Sequence, residues 1–232
     1  MSILYVVPTP IGNLEDITLR AVRILQEVDT VVCEDTRQTI KLLSHLKISK
    51  PLISFYTQNQ LKRIPQIISM LKEGKNIALV SDCGTPAISD PGYYLIKEAL
   101  DNNINVVPLP GPCALITAVI ASGLPTDSFI FLGFLRRKTG KMRKELEQAK
   151  QLEKTIIFYE SPYRILKTLE VCKEVFGDTA NVVLARELTK KFEEFIRGSV
   201  SQVIENMQNR EILGEFVVMI TAEDLKIRRL ED

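Results

Sequence analysis

A long polar loop, residues 81–92, directly follows an apolar segment, 76–80, that is typical of a buried strand. The loop is rich in Asp, Ser, Thr, Gly and Pro, and its two carboxylates are Asp82 and Asp90. Glycine lets a ligand approach main-chain atoms closely, and proline fixes the direction of the backbone. Because ligands bind at the carboxyl ends of strands in open α/β sheets, the loop predicts a binding site. The alternative is an Asx-rich turn that only caps the next helix.

A second polar cluster follows the apolar segment 30–33 and combines Glu34, Asp35 and Arg37. Mutual repulsion between neighbouring carboxylates pushes their pKa values apart, so that one acts as a base while the other positions the guanidinium. The cluster therefore predicts a general base beside a clamp for a phosphate or carboxylate.

The second half of the chain repeats the pattern of an apolar strand followed by an acid, an arginine and a hydroxyl. The segments are 159–164, which contains Glu160 and Arg164, and 185–190, which contains Arg186. Three such loops at one edge would indicate a site for a polar, charged substrate. For the two arginines, ordinary surface ion pairs are the alternative.

The segment 136–144 is strongly basic, with six cations in nine residues and no acid. It leads into a predicted helix, 141–151, and cations are disfavoured at a helix N-terminus because the macrodipole is positive there. Folding alone does not explain this placement, whereas an anionic partner does. A solvated charged face is the alternative.

Composition limits the function classes that remain. The chain has 232 residues, of which 45% are hydrophobic and 25% charged, and its net charge of +1 excludes a globally basic nucleic-acid coat. No apolar run reaches the ~18 residues of a membrane span, so we expect a cytoplasmic protein without a membrane partner. The four cysteines lack C-x-x-C spacing and His45 is the one histidine, so a zinc site or a Ser-His-Asp triad is hard to assemble and no metal is expected.

Alternating apolar and amphipathic segments predict the fold of the first half. We expect strands at 3–7, 30–33, 52–55, 77–80 and 105–109, and helices at 17–28, 38–46, 62–72 and 91–100. This βαβ alternation implies a mainly parallel sheet with helices on both faces. The loop after the first strand carries Pro8 and Pro10 where a dinucleotide-binding G-x-G-x-x-G turn needs glycine, so an orthodox Rossmann site is excluded.

Prolines at 108–112 interrupt this pattern, and a small apolar helix at 113–122 follows. Beyond it we expect strands near 129–133, 155–159, 181–185 and 215–220, helices near 141–151, 162–175 and 200–206, and an antiparallel strand at 192–197. The chain is therefore predicted to form two α/β lobes, 1–112 and 113–232, with a ligand cleft between them.

Six motifs, taken in order, resemble those of the bacterial 16S rRNA cytidine 2′-O-ribose methyltransferases, a branch of the tetrapyrrole methylase superfamily. They occupy residues 4–20, 34–37, 81–92, 110–112, 158–164 and 185–190, and so span almost the whole chain. The long loop 81–92 is specific to this branch, because generic superfamily members carry a shorter Gly-Asp-Pro loop in its place.

The resemblance implies a homodimeric enzyme that binds S-adenosylmethionine in a folded conformation between two α/β lobes and acts on 16S ribosomal RNA or the assembled small subunit. Carried over by motif, the residues that would bind the cofactor are Pro10, Asp82, Ala87, Ile88, Cys113, Ala114 and Tyr159. The candidates for removing the 2′-hydroxyl proton, or for orienting the group that does so, are Glu34, Asp35, Arg37 and Glu160. The expected RNA contacts are Arg136, Arg137, Lys138, Lys141, Arg164 and Arg186.

Three positions depart from the usual residues of the family. Cys83 stands in place of alanine, Cys113 in place of serine and Tyr163 in place of histidine. The first two changes are nearly isosteric. The third argues against an aromatic general base in that loop, because a phenol is a poor proton acceptor near neutral pH.

Two other functions stay open. A methylase that acts on a small corrinoid or tetrapyrrole precursor would not need the basic segment 136–144, and a non-catalytic RNA-binding module would not need a cofactor. Binding of S-adenosylmethionine to the pure protein separates the last of these from an enzyme.

Overall fold

The computed structural model describes residues 2–221. The chain divides into two compact units, of which the first ends at Cys113 and the second begins at Ala114. The described residues place one five-stranded sheet in each unit.

The first unit is a parallel α/β sheet, as the βαβ alternation predicted. Its strands are β1 Ile3–Val6, β2 Thr30–Cys33, β3 Leu52–Ser54, β4 Ile77–Leu79 and β5 Asn105–Pro108, in the order β3-β2-β4-β1-β5. Every pairing between them is parallel. The connecting helices are α1 Leu19–Glu27, α2 Thr36–His45, α3 Gln60–Lys72 and α4 Tyr93–Asp101.

Helices cover both faces of this sheet because its central strands are apolar on both sides. β2 and β4 are buried at every position. One core cluster includes side chains of α1 and α2, whereas the other includes side chains of α3 and α4. Complete burial of a side chain such as Leu25 or Ile67 contributes about 1.5–3 kcal/mol, so each face is held by many such contacts.

The adjacent strands β1 and β4 form a switch point in the sheet. The helix that follows β1 packs on one face, and the helix that follows β4 packs on the opposite face. When two adjacent parallel strands are followed by helices on opposite faces of the sheet, a crevice forms at the carboxyl ends of the strands. Open α/β sheets bind ligands in this crevice. The loops that begin at Val7 and Val80 lie at this crevice.

Two helices of the first unit begin later than the sequence pattern predicted. α1 begins at Leu19 because Thr18 is its N-cap, with Oγ1 accepting a hydrogen bond from Ala21 N at 3.0 Å. α4 begins at Tyr93 because Gly92 has a φ of 155°, which no helical residue adopts.

The second unit is built on a mixed sheet with the order β6-β7-β10-β8-β9. Its strands are β6 Phe129–Phe134, β7 Thr155–Glu160, β8 Asn181–Arg186, β9 Glu194–Ser199 and β10 Phe216–Thr221. Its helices are α5 Ala114–Ile120, α6 Thr139–Lys150, α7 Ile165–Phe176 and α8 Val200–Gln208. The antiparallel strand predicted at 192–197 is confirmed as β9, which pairs with β8.

Strand direction brings three loops of this unit to one edge. β6 is parallel to β7, and β7 and β8 are both antiparallel to β10, so β6, β7 and β8 run the same way. The loops 135–138, 161–164 and 187–193 therefore leave the sheet at the same side. We refer to this side as the carboxyl edge of the second sheet.

Within residues 2–221, no helix is both long enough and apolar enough to cross a membrane.

Candidate active site

The loops that follow β1 and β4 are joined by backbone hydrogen bonds at the crevice. Thr9 N donates to Gly84 O at 2.9 Å, and Gly84 N donates to Thr9 O at 3.0 Å. The buried Thr9 hydroxyl donates to Ser81 O at 3.1 Å, and Ser81 Oγ donates to Gly84 O at 3.1 Å. The two loops thus form one rigid unit. Sequence reasoning missed Thr9 and Ser81, although a threonine between two prolines directly after a strand was an available signal.

The loop after β5 is attached to the same structure. Thr85 Oγ1 donates to Pro112 O at 2.9 Å. Gly111 lies against Pro8, and a Cβ at this glycine would sit 2.7 Å from the Pro8 Cβ atom, so no larger residue fits. Loops from β1, β4 and β5 therefore meet at the crevice.

The backbone of the loop 81–92 is held in an uncommon conformation. Ala87 has a φ of 69° and Ser89 a φ of 64°, values that L residues rarely adopt. Such conformations cost about 1–3 kcal/mol each and persist where the surroundings determine them, often at ligand sites. Ile88 lies between them with 38% of its surface exposed. Two of the predicted cofactor residues, Ala87 and Ile88, thus belong to a strained and accessible turn.

Asp82 connects this loop to the acidic cluster after β2. Its Oδ1 accepts a hydrogen bond from Asp35 N at 2.9 Å, and the Asp82 residue is exposed. The contact places the predicted cofactor loop directly against the loop that carries Glu34, Asp35 and Arg37.

Asp35 is committed to two contacts with Arg37. Its Oδ1 accepts from Arg37 N at 2.8 Å as the N-cap of α2, and its Oδ2 lies 2.7 Å from Arg37 Nη2. These hydrogen bonds lower the pKa of Asp35 to about 2, because they favour the charged carboxylate. The Arg37 side chain remains 85% exposed, so the guanidinium is oriented and still accessible.

Glu34 behaves in the opposite way. Burial raises the pKa of Glu34 above its ordinary value, and the carboxylates of Asp82 and Asp35 raise it further. The two neighbouring acids therefore differ in protonation behaviour, as the sequence predicted. The expected cause, mutual repulsion, is secondary: burial of Glu34 and the Arg37 hydrogen bonds to Asp35 are the largest contributions.

Glu160, the fourth catalytic candidate, is buried in the second unit with only 1% of its surface exposed. Its Oε1 accepts from Ser161 N at 2.8 Å. Its Oε2 accepts from Thr168 Oγ1 at 2.6 Å and lies 3.2 Å from Arg164 Nη2. A carboxylate whose oxygens are already bonded and buried favours a structural role, in which it orients Arg164, over proton transfer.

Arg164 and Arg186, two of the expected RNA contacts, have internal partners. Arg164 Nη2 also donates to Leu135 O at 3.0 Å. Arg186 Nη1 lies 3.4 Å from Glu194 Oε2, and Arg210 Nη1 donates to Glu194 Oε1 at 2.8 Å. Both arginines therefore form ion pairs within the protein, which was the alternative to a contact with RNA. Sequence reasoning missed Glu194 and Arg210, which come together only through the pairing of β8 with β9 and the return of the chain toward β10.

The basic segment 136–144 differs from Arg164 and Arg186, whose side chains have partners within the protein. Arg136, Arg137, Lys138 and Lys141 are exposed. Within residues 2–221, no carboxylate forms a salt bridge with any of these four side chains. α6 begins at Thr139, earlier than predicted, and Lys138 is its N-cap without a side-chain hydrogen bond. Uncompensated cations therefore surround the positive end of a helix, which folding does not require.

The remaining predicted cofactor residues occupy two places. Pro10 and Cys113 are half-buried in the first unit. In the second unit, Tyr159 Oη accepts from Leu115 N at 3.3 Å and so fixes the start of α5, where Ala114 lies. The Tyr159 ring is held edge-on by Phe131, at 4.9 Å between centroids.

Among the described residues, no group of three or more His, Cys, Asp and Glu side chains is arranged to hold a metal ion. What residues 2–113 do bring together is a strained loop, an exposed carboxylate and two acids of opposed pKa shift at one sheet edge. This arrangement suits proton removal from a hydroxyl next to a polar ligand.

Comparison with known proteins identifies the same architecture elsewhere. A family model described as Tetrapyrrole (Corrin/Porphyrin) Methylases matches residues 3–204. Ribosomal RNA small subunit methyltransferase I of Bacillus subtilis is 50% identical over 220 residues, which cover 95% of this chain and 75% of the relative. The protein of the same name from Thermotoga maritima is 48% identical over 225 residues, covering 97% of this chain and 100% of the relative.

A solved structure extends the likeness to the fold. Uroporphyrin-III C-methyl transferase from Thermus thermophilus, complexed with S-adenyl homocysteine, matches with a TM-score of 0.66 and 15% identity, covering 95% of this chain and 97% of that chain. At this identity the likeness concerns the fold alone. The predicted fold, two α/β lobes of the tetrapyrrole methylase type, is confirmed.

Proposed function

The chain belongs to the tetrapyrrole (corrin/porphyrin) methylase family and, within it, to the group of the ribosomal RNA small subunit methyltransferases I; from this premise we propose that it methylates the ribose 2′-hydroxyl of a cytidine in 16S ribosomal RNA with S-adenosylmethionine. The observation that carries the proposal is the hydrogen bond between Asp82 and Asp35, which sets the predicted cofactor loop against the acidic cluster. Identity near 50% along almost the whole chain supports the substrate class.

The residues of the first unit fit S-adenosylmethionine, which is a cationic sulfonium with polar ribose and amino acid groups. An exposed carboxylate at Asp82 stands beside the strained turn at Ala87 and the accessible side chain of Ile88. We assign Pro10 and Cys113 to the same role, together with Ala114 and Tyr159 from the second unit. When bound, the cofactor supplies an electrophilic methyl group whose departure leaves a neutral thioether, so no acid is required for the leaving group.

Proton removal from the 2′-hydroxyl is the task left to the protein. Glu34 suits this task because burial and the neighbouring carboxylates raise its pKa, which makes it a stronger base than an ordinary carboxylate. Asp35 is too strongly held by Arg37 to accept a proton, so its role is to fix the guanidinium. Arg37 then offers two nitrogen donors to a phosphate beside the target ribose. Alignment of oxygen, methyl and sulfur supplies several kcal/mol of the barrier, which is why a rigid loop network matters.

RNA binding is assigned to the second unit. Exposed cations of the basic segment, among them Arg136, Arg137, Lys138 and Lys141, provide the electrostatic contacts that phosphate backbones require. Arg164 and Arg186 contribute to the same positive edge although each has an internal partner.

We also propose that the protein acts in the cytoplasm, because its proposed substrate is ribosomal RNA. The resemblance further leads us to propose a homodimer, and size-exclusion chromatography with light scattering tests this oligomeric state.

A methylase for a corrinoid or porphyrin is the alternative within the family. Two solved neighbours named for such substrates, a cobalt precorrin-4 methyltransferase and a uroporphyrin-III C-methyl transferase, share only the fold with this chain, at 16% and 15% identity. Identity near 50% to relatives named as ribosomal RNA methyltransferases favours an RNA substrate over a corrinoid or porphyrin.

The proposed function is tested by incubating the purified protein with S-adenosylmethionine and either naked 16S rRNA or small ribosomal subunits. A 2′-O-methyl group blocks alkaline cleavage at its own nucleotide, so the product is mapped as a gap in a hydrolysis ladder. One gap at a cytidine supports the proposal. Methyl transfer to uroporphyrinogen with no such gap in either RNA substrate would establish the alternative, and absence of cofactor binding by calorimetry would exclude both.

A further inference from the structure

Three large aromatic side chains are exposed at or beside the carboxyl edge of the second sheet. Phe134 is 56% exposed, Tyr163 is 96% exposed and Phe192 is 68% exposed. Exposed aromatic rings forgo the favourable burial that such side chains usually provide, so a cluster of them indicates a surface that becomes covered.

The sheet topology places these rings on one side of the molecule. Phe134 ends β6, Tyr163 follows β7, and Phe192 connects β8 to β9. Since β7 and β8 are each paired with β10, their carboxyl ends lie about 10 Å apart, which is two strand spacings. The Phe134 ring is held edge-on against Tyr159, with 5.6 Å between centroids, whereas Tyr163 extends almost entirely into solvent.

Cations surround the same rings. Arg136, Arg137 and Lys138 follow Phe134 in the chain after one buried residue, Leu135. Lys191 Nζ lies 5.6 Å from the centre of the Phe192 ring, within the range of a cation–π contact. Aromatic rings and arginines are common in protein–protein interfaces, but lysine is depleted there, so Lys138 and Lys191 beside these rings favour a polyanion over another protein. Aromatic rings set along a positive surface are how proteins bind unstacked, single-stranded nucleic acid.

We propose that Tyr163 and Phe192 stack on unpaired bases of the ribosomal RNA, while the neighbouring cations hold its backbone. The inference rests on the proposed function and adds to it a base-stacking surface on the second unit. A ribose hydroxyl becomes accessible only when its nucleotide is splayed out of the folded RNA, and stacking of the flanking bases on these rings would hold the strand in that state.

The absence of tryptophan from the sequence provides a clean optical test. Tyr163→Trp and Phe192→Trp each introduce a single tryptophan at the proposed surface. Leu152→Trp is the matched control, because Leu152 is 58% exposed and lies beside Lys150 and Lys154, yet it precedes β7 and so lies at the opposite edge of the sheet. Each protein is titrated with whichever of naked 16S rRNA and small subunits the wild-type protein methylates.

We expect RNA to quench the fluorescence of the Tyr163→Trp and Phe192→Trp proteins and to leave that of the Leu152→Trp protein nearly unchanged. In parallel, Tyr163→Ala should weaken RNA binding at least about fivefold without altering its salt dependence, whereas Tyr163→Phe should bind like the wild type. An unchanged salt dependence distinguishes loss of stacking from loss of a phosphate contact.

Three results would overturn the inference. If the wild type methylates RNA but neither reporter is quenched, the stacking surface is wrong and the proposed function stands. If the emission of the Tyr163→Trp protein shifts to shorter wavelength with protein concentration in the absence of RNA, the surface binds a second copy of the chain instead. If the wild type methylates neither RNA substrate, the proposed function fails and the stacking surface fails with it.

Discussion

Neutralising the basic segment should change how RNA binding responds to salt. The variant carries Gln in place of Arg136, Arg137, Lys138 and Lys141, four exposed cations of the segment that form no salt bridge among the described residues. Each phosphate contact contributes about 0.7 to the slope of log K against log salt for single-stranded nucleic acid. Loss of four contacts should therefore reduce the magnitude of the slope by about 2.8.

This slope difference corresponds to a large difference in affinity. Between 50 and 200 mM salt, the wild type should lose about 50-fold more affinity than the quadruple variant, because a fourfold change in salt is raised to the power of about 2.8. Filter binding with 16S rRNA at four or more salt concentrations measures both slopes. Cofactor affinity should be the same in both proteins, since the four side chains lie outside the residues assigned to the cofactor.

Arg143 provides the matched control within the same segment. Its guanidinium forms a salt bridge with Glu174 and is partly exposed. Arg143→Gln should therefore change the slope by much less than 0.7, the value for a full phosphate contact. A quadruple variant with the wild-type slope and a more stable α6 would refute the reasoning, because it would show that the cations form only a solvated helix face.

The remaining predictions concern the acids. Asp82→Ala should weaken cofactor binding at least about tenfold by calorimetry, as expected for a lost hydrogen bond to a charged group, whereas Asp90→Ala should have a smaller effect; equal affinity in a folded Asp82→Ala protein would remove Asp82 from the cofactor site. Glu34→Gln should abolish methylation and preserve cofactor binding. It should also raise the melting temperature at neutral pH, because a carboxyl with a raised pKa stabilises the fold below its unfolded pKa and loses that contribution as pH rises through the folded pKa; a lower melting temperature would contradict this. Glu160→Ala should lower the free energy of unfolding in urea by roughly 3 kcal/mol, since it leaves Arg164 and Thr168 without their buried partner, and wild-type stability with lost methylation would restore Glu160 as a catalytic candidate.

The sequence predicted the layers of the fold because its signals are local. Apolar runs of four to six residues ending in polar loops are read directly, and the strands β2 and β7 begin at the predicted residues, Thr30 and Thr155. The polar loops after β1, β2 and β4 lie at one edge because parallel strands share a carboxyl edge. The three loops that combine an acid with an arginine do not share one sheet edge as considered from the sequence, because 34–37 follows β2 in the first sheet whereas 159–164 and 185–190 belong to the second.

The features that sequence reasoning missed depend on contacts between distant residues. Ala87 and Ser89 adopt positive φ without being glycine, so composition gives no sign of the strain. Glu160 looked like an accessible acid after a strand, and only its bond to Thr168, in the first turn of α7, reveals it as a buried anchor. The pairing of Arg210 with Glu194 joins residues 16 positions apart across a strand and a helix.

Asp82 contributes both to the placement of the loop after β2 and, after burial, to the raised pKa of Glu34. The hydrogen bond from Asp35 N to Asp82 Oδ1 holds the loop after β2 against the loop after β4. The same proximity sets the Asp82 carboxylate close enough to Glu34 to raise its pKa, in addition to the effect of burial. A positively charged ligand beside Asp82 would offset that repulsion, so in the proposed complex the cofactor would lower the basicity of Glu34.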